Sequence, residues 1–202
     1  MFFPTLFTTT TAIIIAASSS SSAAVLPPRA PGESSSNTFR LSVNVTRFDL
    51  TPSLQGQEVG YAPTGDDDCL SNLVLASSPG ATFYQTGDPT TTVHLADSGA
   101  GIVVTPGGTA TVPSLNTVQL QCGNASAGVG VAPSSAGTVD LQFGSGGGWM
   151  ACPLDNVVVL RFRSAGQRTL AGCADVQLLP VCEEAEAEEP QGSVATTCYM
   201  GL

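Results

Sequence analysis

Polar and apolar residues begin to alternate at Phe39. In Phe39-Arg40-Leu41-Ser42-Val43-Asn44-Val45-Thr46 every second residue is apolar and its neighbours are polar. A period of two places Phe39, Leu41, Val43 and Val45 on one face of a strand, and Arg40, Ser42, Asn44 and Thr46 on the other. The same grammar returns at 117–122, 138–143 and 158–163, with Thr138, Asp140 and Gln142 on a wet face opposite Val139, Leu141 and Phe143. Shorter runs at 73–75, 82–85, 92–95, 102–105 and 176–181 also read as strands. Turn signals separate them, among them Ser78-Pro79-Gly80, Gly87-Asp88-Pro89, Pro106-Gly107-Gly108 and Ala165-Gly166. No window carries a helical stripe and no segment repeats. Short strands with frequent turn punctuation predict an all-β fold, a single antiparallel β-sandwich or partly open barrel.

The flanks follow a different pattern. The first 24 residues hold no charged side chain; their apolar stretch ends at Ser22-Ala23-Ala24, and they read as a signal peptide. A retained membrane anchor is the rival reading, but residues 1–17 are short for the roughly 20 needed to span a bilayer. Residues 25–37 are rich in proline and serine and read as a flexible leader. The sandwich domain is expected over 38–182. An acidic tail, 183–202, opens with Glu183-Glu184-Ala185-Glu186-Ala187-Glu188-Glu189 and reads as a solvated spacer.

Composition narrows the partners. The 202-residue chain has 42% hydrophobic residues, enough for a core, but only 11% charged ones. Its six basic residues are all arginine, and against 16 acids they leave a net charge of −10. Such a surface repels phosphate backbones and anionic membranes, so neither nucleic acid nor a membrane surface is an expected partner. No span is expected in the mature form, and the chain is expected to be a monomer.

Six cysteines, Cys69, Cys122, Cys152, Cys173, Cys182 and Cys198, fall in the mature part. In a secreted chain an even set reads as three disulfides, with 15 connectivities open on counting alone. A Cys182–Cys198 bridge would be a local closure around the acidic run. A zinc site is not expected: there is no C-x-x-C pair and a single histidine. The sequons Asn44-Val45-Thr46 and Asn124-Ala125-Ser126 make Asn44 and Asn124 candidate glycosylation sites.

Catalytic signals are thin. His94 is the only candidate base; Asp97 and Ser98 lie nearby, but there is no G-x-S-x-G elbow. It reads as a strand histidine. Asp66-Asp67-Asp68 is the only dense acidic cluster inside the domain and reads as a solvated loop; glycosidase carboxylates come from separate strands among aromatic platforms. The run Phe143-Gly144-Ser145-Gly146-Gly147-Gly148-Trp149 lacks a P-loop lysine, and reads as a corner whose glycines supply positive φ beside a core tryptophan. Trp149, Tyr61 and Tyr84 are the candidate aromatic ligand contacts. No metal and no cofactor are expected.

The chain resembles a family of secreted fungal proteins of unknown function. The resemblance runs from about Phe39 to Cys182. It is carried by the opening strand followed by Asp49-Leu50-Thr51-Pro52-Ser53, by Thr82-Phe83-Tyr84-Gln85-Thr86-Gly87, and by Gly147-Gly148-Trp149-Met150-Ala151-Cys152 with Gly172-Cys173-Ala174-Asp175-Val176-Gln177-Leu178. The resemblance implies a compact secreted β protein with no assigned activity, and a Cys152–Cys173 bridge. Cys69 then pairs most simply with Cys122, leaving Cys182 for Cys198. Where the family commonly has a Gly/Ala-rich, His-containing stretch after its second strand, this chain has Tyr61 to Cys69.

These readings converge on an extracellular, glycosylated, disulfide-stapled protein without a catalytic site, binding cell-wall polysaccharide or a host extracellular protein. The alternatives are a secreted hydrolase acting on glycans or esters, and a structural protein without a ligand.

Overall fold

The computed structural model describes residues 32–64, 67–76, 79–87, 90–107, 116–144, 146–183 and 189–201, with the side chains of 67 and 68 excepted. The expected signal peptide, most of the leader, Asp66 and residues 184–188 of the acidic run lie outside the described residues.

The fold is all-β, a large mixed sheet with a small second one. Its first strands are β1 (Glu33–Ser36), β2 (Thr38–Arg47), β3 (Glu58–Thr64), β4 (Asp67–Ala76) and β5 (Phe83–Thr86). They are followed by β6 (Thr92–Leu95), β7 (Gly101–Thr105), β8 (Asn116–Gln121), β9 (Val129–Pro133) and β10 (Val139–Phe143). The last are β11 (Gly148–Leu154), β12 (Val157–Arg163), β13 (Ala174–Cys182) and β14 (Thr196–Tyr199).

Antiparallel pairings run β2–β5–β6–β7–β8–β12–β11–β13 and return to β2, so the sandwich closes on itself. The β3–β4 hairpin fills the corner between β2, β8 and β12. Closure removes most exposed edges, which would otherwise invite pairing with other chains. Among the described residues the one parallel contact joins β13 to β14.

Alternation decides which face is buried. Phe39, Leu41 and Val43 of β2 point inward with Phe83, Ile102, Leu120, Leu160 and Leu178, and form the main core. On the outer face a smaller cluster of Val74, Met150, Cys152, Val159 and Cys173 packs under Leu170. That second cluster explains why β11 shows no period of two: Trp149 and Ala151 enter the main core while Met150 and Cys152 enter the outer one.

Disulfides link Cys69 to Cys122, Cys152 to Cys173 and Cys182 to Cys198, at sequence separations of 53, 21 and 16. In the chain-entropy model each closure contributes about 3–4 kcal/mol by restricting the unfolded chain. The last bridge holds β13 to β14, and β14 in turn pairs with β1. Ordered structure therefore reaches past both bounds of the expected 38–182 domain. Neither Glu-Ser-Ser-Ser nor Thr-Thr-Cys-Tyr shows apolar alternation; their order comes from the disulfide and from backbone pairing. β3, β9 and β11 are also strands that the pattern did not single out.

Candidate functional site

β9 and β10 form a separate two-stranded sheet. Val129 and Leu141 enter the main core from this hairpin, which packs against β13. Side chains of the sandwich hold it down, among them Gln85, whose Oε1 accepts from the Val131 N–H at 2.6 Å. The Trp149 indole N–H donates to the Leu141 carbonyl at 2.6 Å, and the Tyr199 hydroxyl accepts from the Val139 N–H at 2.8 Å.

The chain leaves β10 through the glycine run. Gly144 and Gly146 have φ of +61° and +81°, where side chains are strained. Gly147 is required for a different reason: a Cβ there would lie 2.0 Å from the Phe162 ring. The run thus lets the backbone cross Phe162 closely and enter β11 at Trp149. Trp149 and Phe143 both meet Phe162 edge-on, at centroid separations of 5.1 and 5.2 Å.

Beneath the hairpin a groove of about 430 Å³ opens. Gly144, Gly146, Gly147 and Gly148 line it beside Trp149 and Phe162, which belong to the main core, and Thr46, Asp140, Gln142, Arg163, Asp175 and Gln177 give it a polar lining. The Gly-Trp stretch is therefore both a structural corner, as expected, and one wall of a groove. Trp149 itself is only 4% exposed, with its N–H already committed.

Two buried carboxylates line this groove. Asp175 follows a bulge in which Thr46 of β2 is the extra residue, since Asp175 pairs with Arg47 and Val176 with Val45. Its Oδ1 accepts from Thr169 Oγ1 at 2.5 Å and from Arg163 Nε at 3.3 Å, and its Oδ2 accepts from Arg47 Nε at 3.3 Å. Asp140 accepts from the Gln142 amide at 3.0 Å. Burial pushes its carboxyl above the ordinary range, and hydrogen bonds from Gln142 and Gln177 pull part of that back. Gln177 is braced in turn by Asn44, whose Nδ2 donates to Gln177 Oε1 at 3.0 Å.

The other sequence candidates lie elsewhere. His94 is held between Thr92 Oγ1 at 2.8 Å and the Gly99 carbonyl at 3.1 Å, and its ring stacks on Tyr84. Both ring nitrogens are thus engaged by neutral groups. Asp97 instead accepts from the Tyr61 hydroxyl at 3.2 Å, and its charge raises the pKa of that phenol. Ser98 Oγ accepts from the Ala100 N–H. Tyr61 and Tyr84 flank this β6–β7 turn and line no part of the groove under Trp149. Asp66 lies outside the described residues, as do the side chains of Asp67 and Asp68. Asn124 is exposed after β8, whereas Asn44 is half-buried in the network beside the groove.

Among the described residues no group of three or more His, Cys, Asp or Glu side chains could hold a metal ion, and no helix is long and apolar enough to cross a membrane. Asp140, Gln142, Asp175 and Gln177 were not sequence candidates. The pattern assigned Asp140 and Gln142 to a solvated face, but the hairpin packs that face over β13. No curated protein and no solved structure matches the chain. Residues 36–182 match the family model described as Domain of unknown function (DUF7907), and the chain belongs to that family.

Proposed function

We propose that this is a secreted, non-catalytic binding protein of the extracellular space, and that the groove under the β9–β10 hairpin receives a segment of cell-wall polysaccharide. The groove itself carries the reading. It combines glycine backbone with carboxylate and amide groups that are fixed by hydrogen bonds within the chain, so little ordering is left for the moment of binding. Three disulfides suit an oxidising exterior. The test is co-sedimentation of the purified protein with insoluble wall polysaccharides. Retention is expected for the native chain and should be lost in Ser135→Trp, which places a large ring at the groove mouth. Equal retention of both proteins would remove the groove from consideration.

A hydrolase acting on glycans is the second reading, because the groove holds two carboxylates in unlike environments. It is the weaker one. Both Asp175 oxygens are occupied by Thr169, Arg163 and Arg47, which leaves no free nucleophile or base beside Asp140. Release of soluble sugar from the same polysaccharides, abolished by Asp140→Asn, would favour the hydrolase.

A further inference from the structure

We propose that the groove reads a primary ammonium group on its saccharide, an amino sugar whose charged nitrogen is received by the Asp140 carboxylate. The inference rests on the saccharide reading above and specifies its ligand class.

Arg40, Arg47 and Arg163 are committed away from Asp140. Arg40 pairs with Glu58 and Glu183 on another face of the molecule. Arg47 and Arg163 both spend their Nε on Asp175, and Arg163 Nη1 also donates to the Gln167 carbonyl. Arg161 on β12 stands opposite Met150 and Thr117. The chain has no lysine. Asp140 is buried with neutral amides, Gln142 and Gln177, as its hydrogen-bond partners.

Groups from the packed elements surround it. β13 contributes Asp175 and Gln177, β12 Arg163, β2 Thr46, β11 Trp149, and β14 Tyr199, while Arg47 of β2 reaches Asp175. The charges of Asp140, Asp175, Arg47 and Arg163 sum to zero, so the groove is not an acidic patch that draws in any cation. Discrimination arises at contact. A carboxylate has about four lone-pair positions, and two amides leave acceptor capacity on Asp140. Only a donor can use it, and a charged donor forms roughly twice as strong a bond as a neutral hydroxyl. An ammonium would also offset the burial that disfavours the charged form of Asp140.

The experiment compares a short glucosamine oligomer, its N-acetylated counterpart and a glucose oligomer, bound to the full mature protein. Salt is set high enough to screen the overall net charge of −10. The glucosamine oligomer should bind about tenfold more tightly than the other two, the difference between a charge-assisted and a neutral hydrogen bond. Asp140→Asn, which keeps the shape of the side chain, should erase the preference, so that the glucosamine oligomer binds no more tightly than the other two. Below the ordinary carboxylate value of 3.8, where Asp140 with its raised pKa is protonated and the ligand amine is fully charged, the preference should be lost. Equal binding of all three sugars, or a preference that survives in Asp140→Asn, would overturn the ammonium assignment and leave the saccharide reading standing. Failure to bind any of them would overturn both.

Discussion

Asp175 and Asp140 line the same groove and are buried to nearly the same degree, 4% and 6% exposed, yet the fold treats them in opposite ways. Asp175 sits where three elements meet. Two arginines and a threonine close around it, and its carboxylate ties β2, β12 and the segment before β13 together. Asp140 sits on the β9–β10 hairpin, and has amides in place of cations. A buried charge is tolerated when its hydrogen-bonding capacity is filled and opposite charge is at hand. Asp175 meets both conditions; Asp140, with two amide donors, keeps acceptor capacity to spare and has no cation among its partners. The difference separates a carboxylate that organises the fold from one held in reserve for a ligand.

The largest effect should come from breaking the filled site. Asp175→Asn removes the charge that holds Arg47 and Arg163 and leaves Arg163 part-buried without its partner. Loss of one member of a buried ion pair costs about 3–5 kcal/mol, and the exposure of Arg47 brings the expectation here to about 2–3 kcal/mol. For a domain of this size that is a fall in Tm of about 5–10 °C, readable by circular dichroism. A shift under 2 °C would show that Asp175 does not organise the junction. Next in size is the hairpin anchor. Trp149→Phe deletes the N–H that satisfies the Leu141 carbonyl and leaves a smaller ring on Phe162. The cost should be about 1–2 kcal/mol, with faster hydrogen exchange at β10 amides while those of β2 and β13 stay protected. Uniform loss of protection would mean that the hairpin is not a separate unit.

Asp140→Asn should run in the opposite direction and be smaller than either. Because the folded-state pKa of Asp140 is raised, the fold binds its proton more tightly than the unfolded chain does. The stability linked to this group is therefore fully present below its ordinary value near 3.8 and is lost as the pH rises through the folded-state value. The asparagine variant removes that titration. It should be more stable than the native chain at neutral pH, and the gap should close as the pH falls below the ordinary carboxylate range. A constant gap across pH would show that the carboxyl does not titrate differently in the folded state.

Much of the architecture was legible because the strands that build the main core alternate cleanly. β2, β8, β10 and β12 could be read directly, each with one face inward. β11 could not, because both of its faces are covered and its residues are apolar in sequence. β1 and β14 carry no apolar signal at all and exist through pairing and a disulfide. The groove was half legible. Its glycine wall and Trp149 were conspicuous, but a corner and a wall are the same residues seen from two sides. Its carboxylates were hidden by the rule that made the fold readable. Asp140 alternates with Val139 and Leu141, so it reads as solvated until a second layer is known to cover that face.

The smallest test concerns the brace behind Asp140, and it bears on a site that pattern alone treats as equivalent to another. Asn44 and Asn124 both stand in sequons, but only Asn44 spends its amide inside the structure. It donates to Gln177, accepts from Gln55 Nε2 at 3.4 Å, and lies next to Thr46, whose hydroxyl donates to the Asp175 carbonyl. A glycan on Asn44 Nδ2 would crowd Gln177 and disturb the row that steadies Asp140, whereas Asn124 is exposed. Glycopeptide mapping of the secreted protein should therefore find carbohydrate on Asn124 and none on Asn44. Asn44→Ala should cost only about 0.5 kcal/mol, the lower end for a part-exposed hydrogen bond, yet it should weaken glucosamine binding by releasing Gln177. Asn124→Ala should leave both stability and binding unchanged. If Asn44 carries a glycan and the protein still prefers the amino sugar, the Asn44–Gln177 row plays no part in holding Asp140 ready, and the contrast with Asp175 reduces to the absence of a cation.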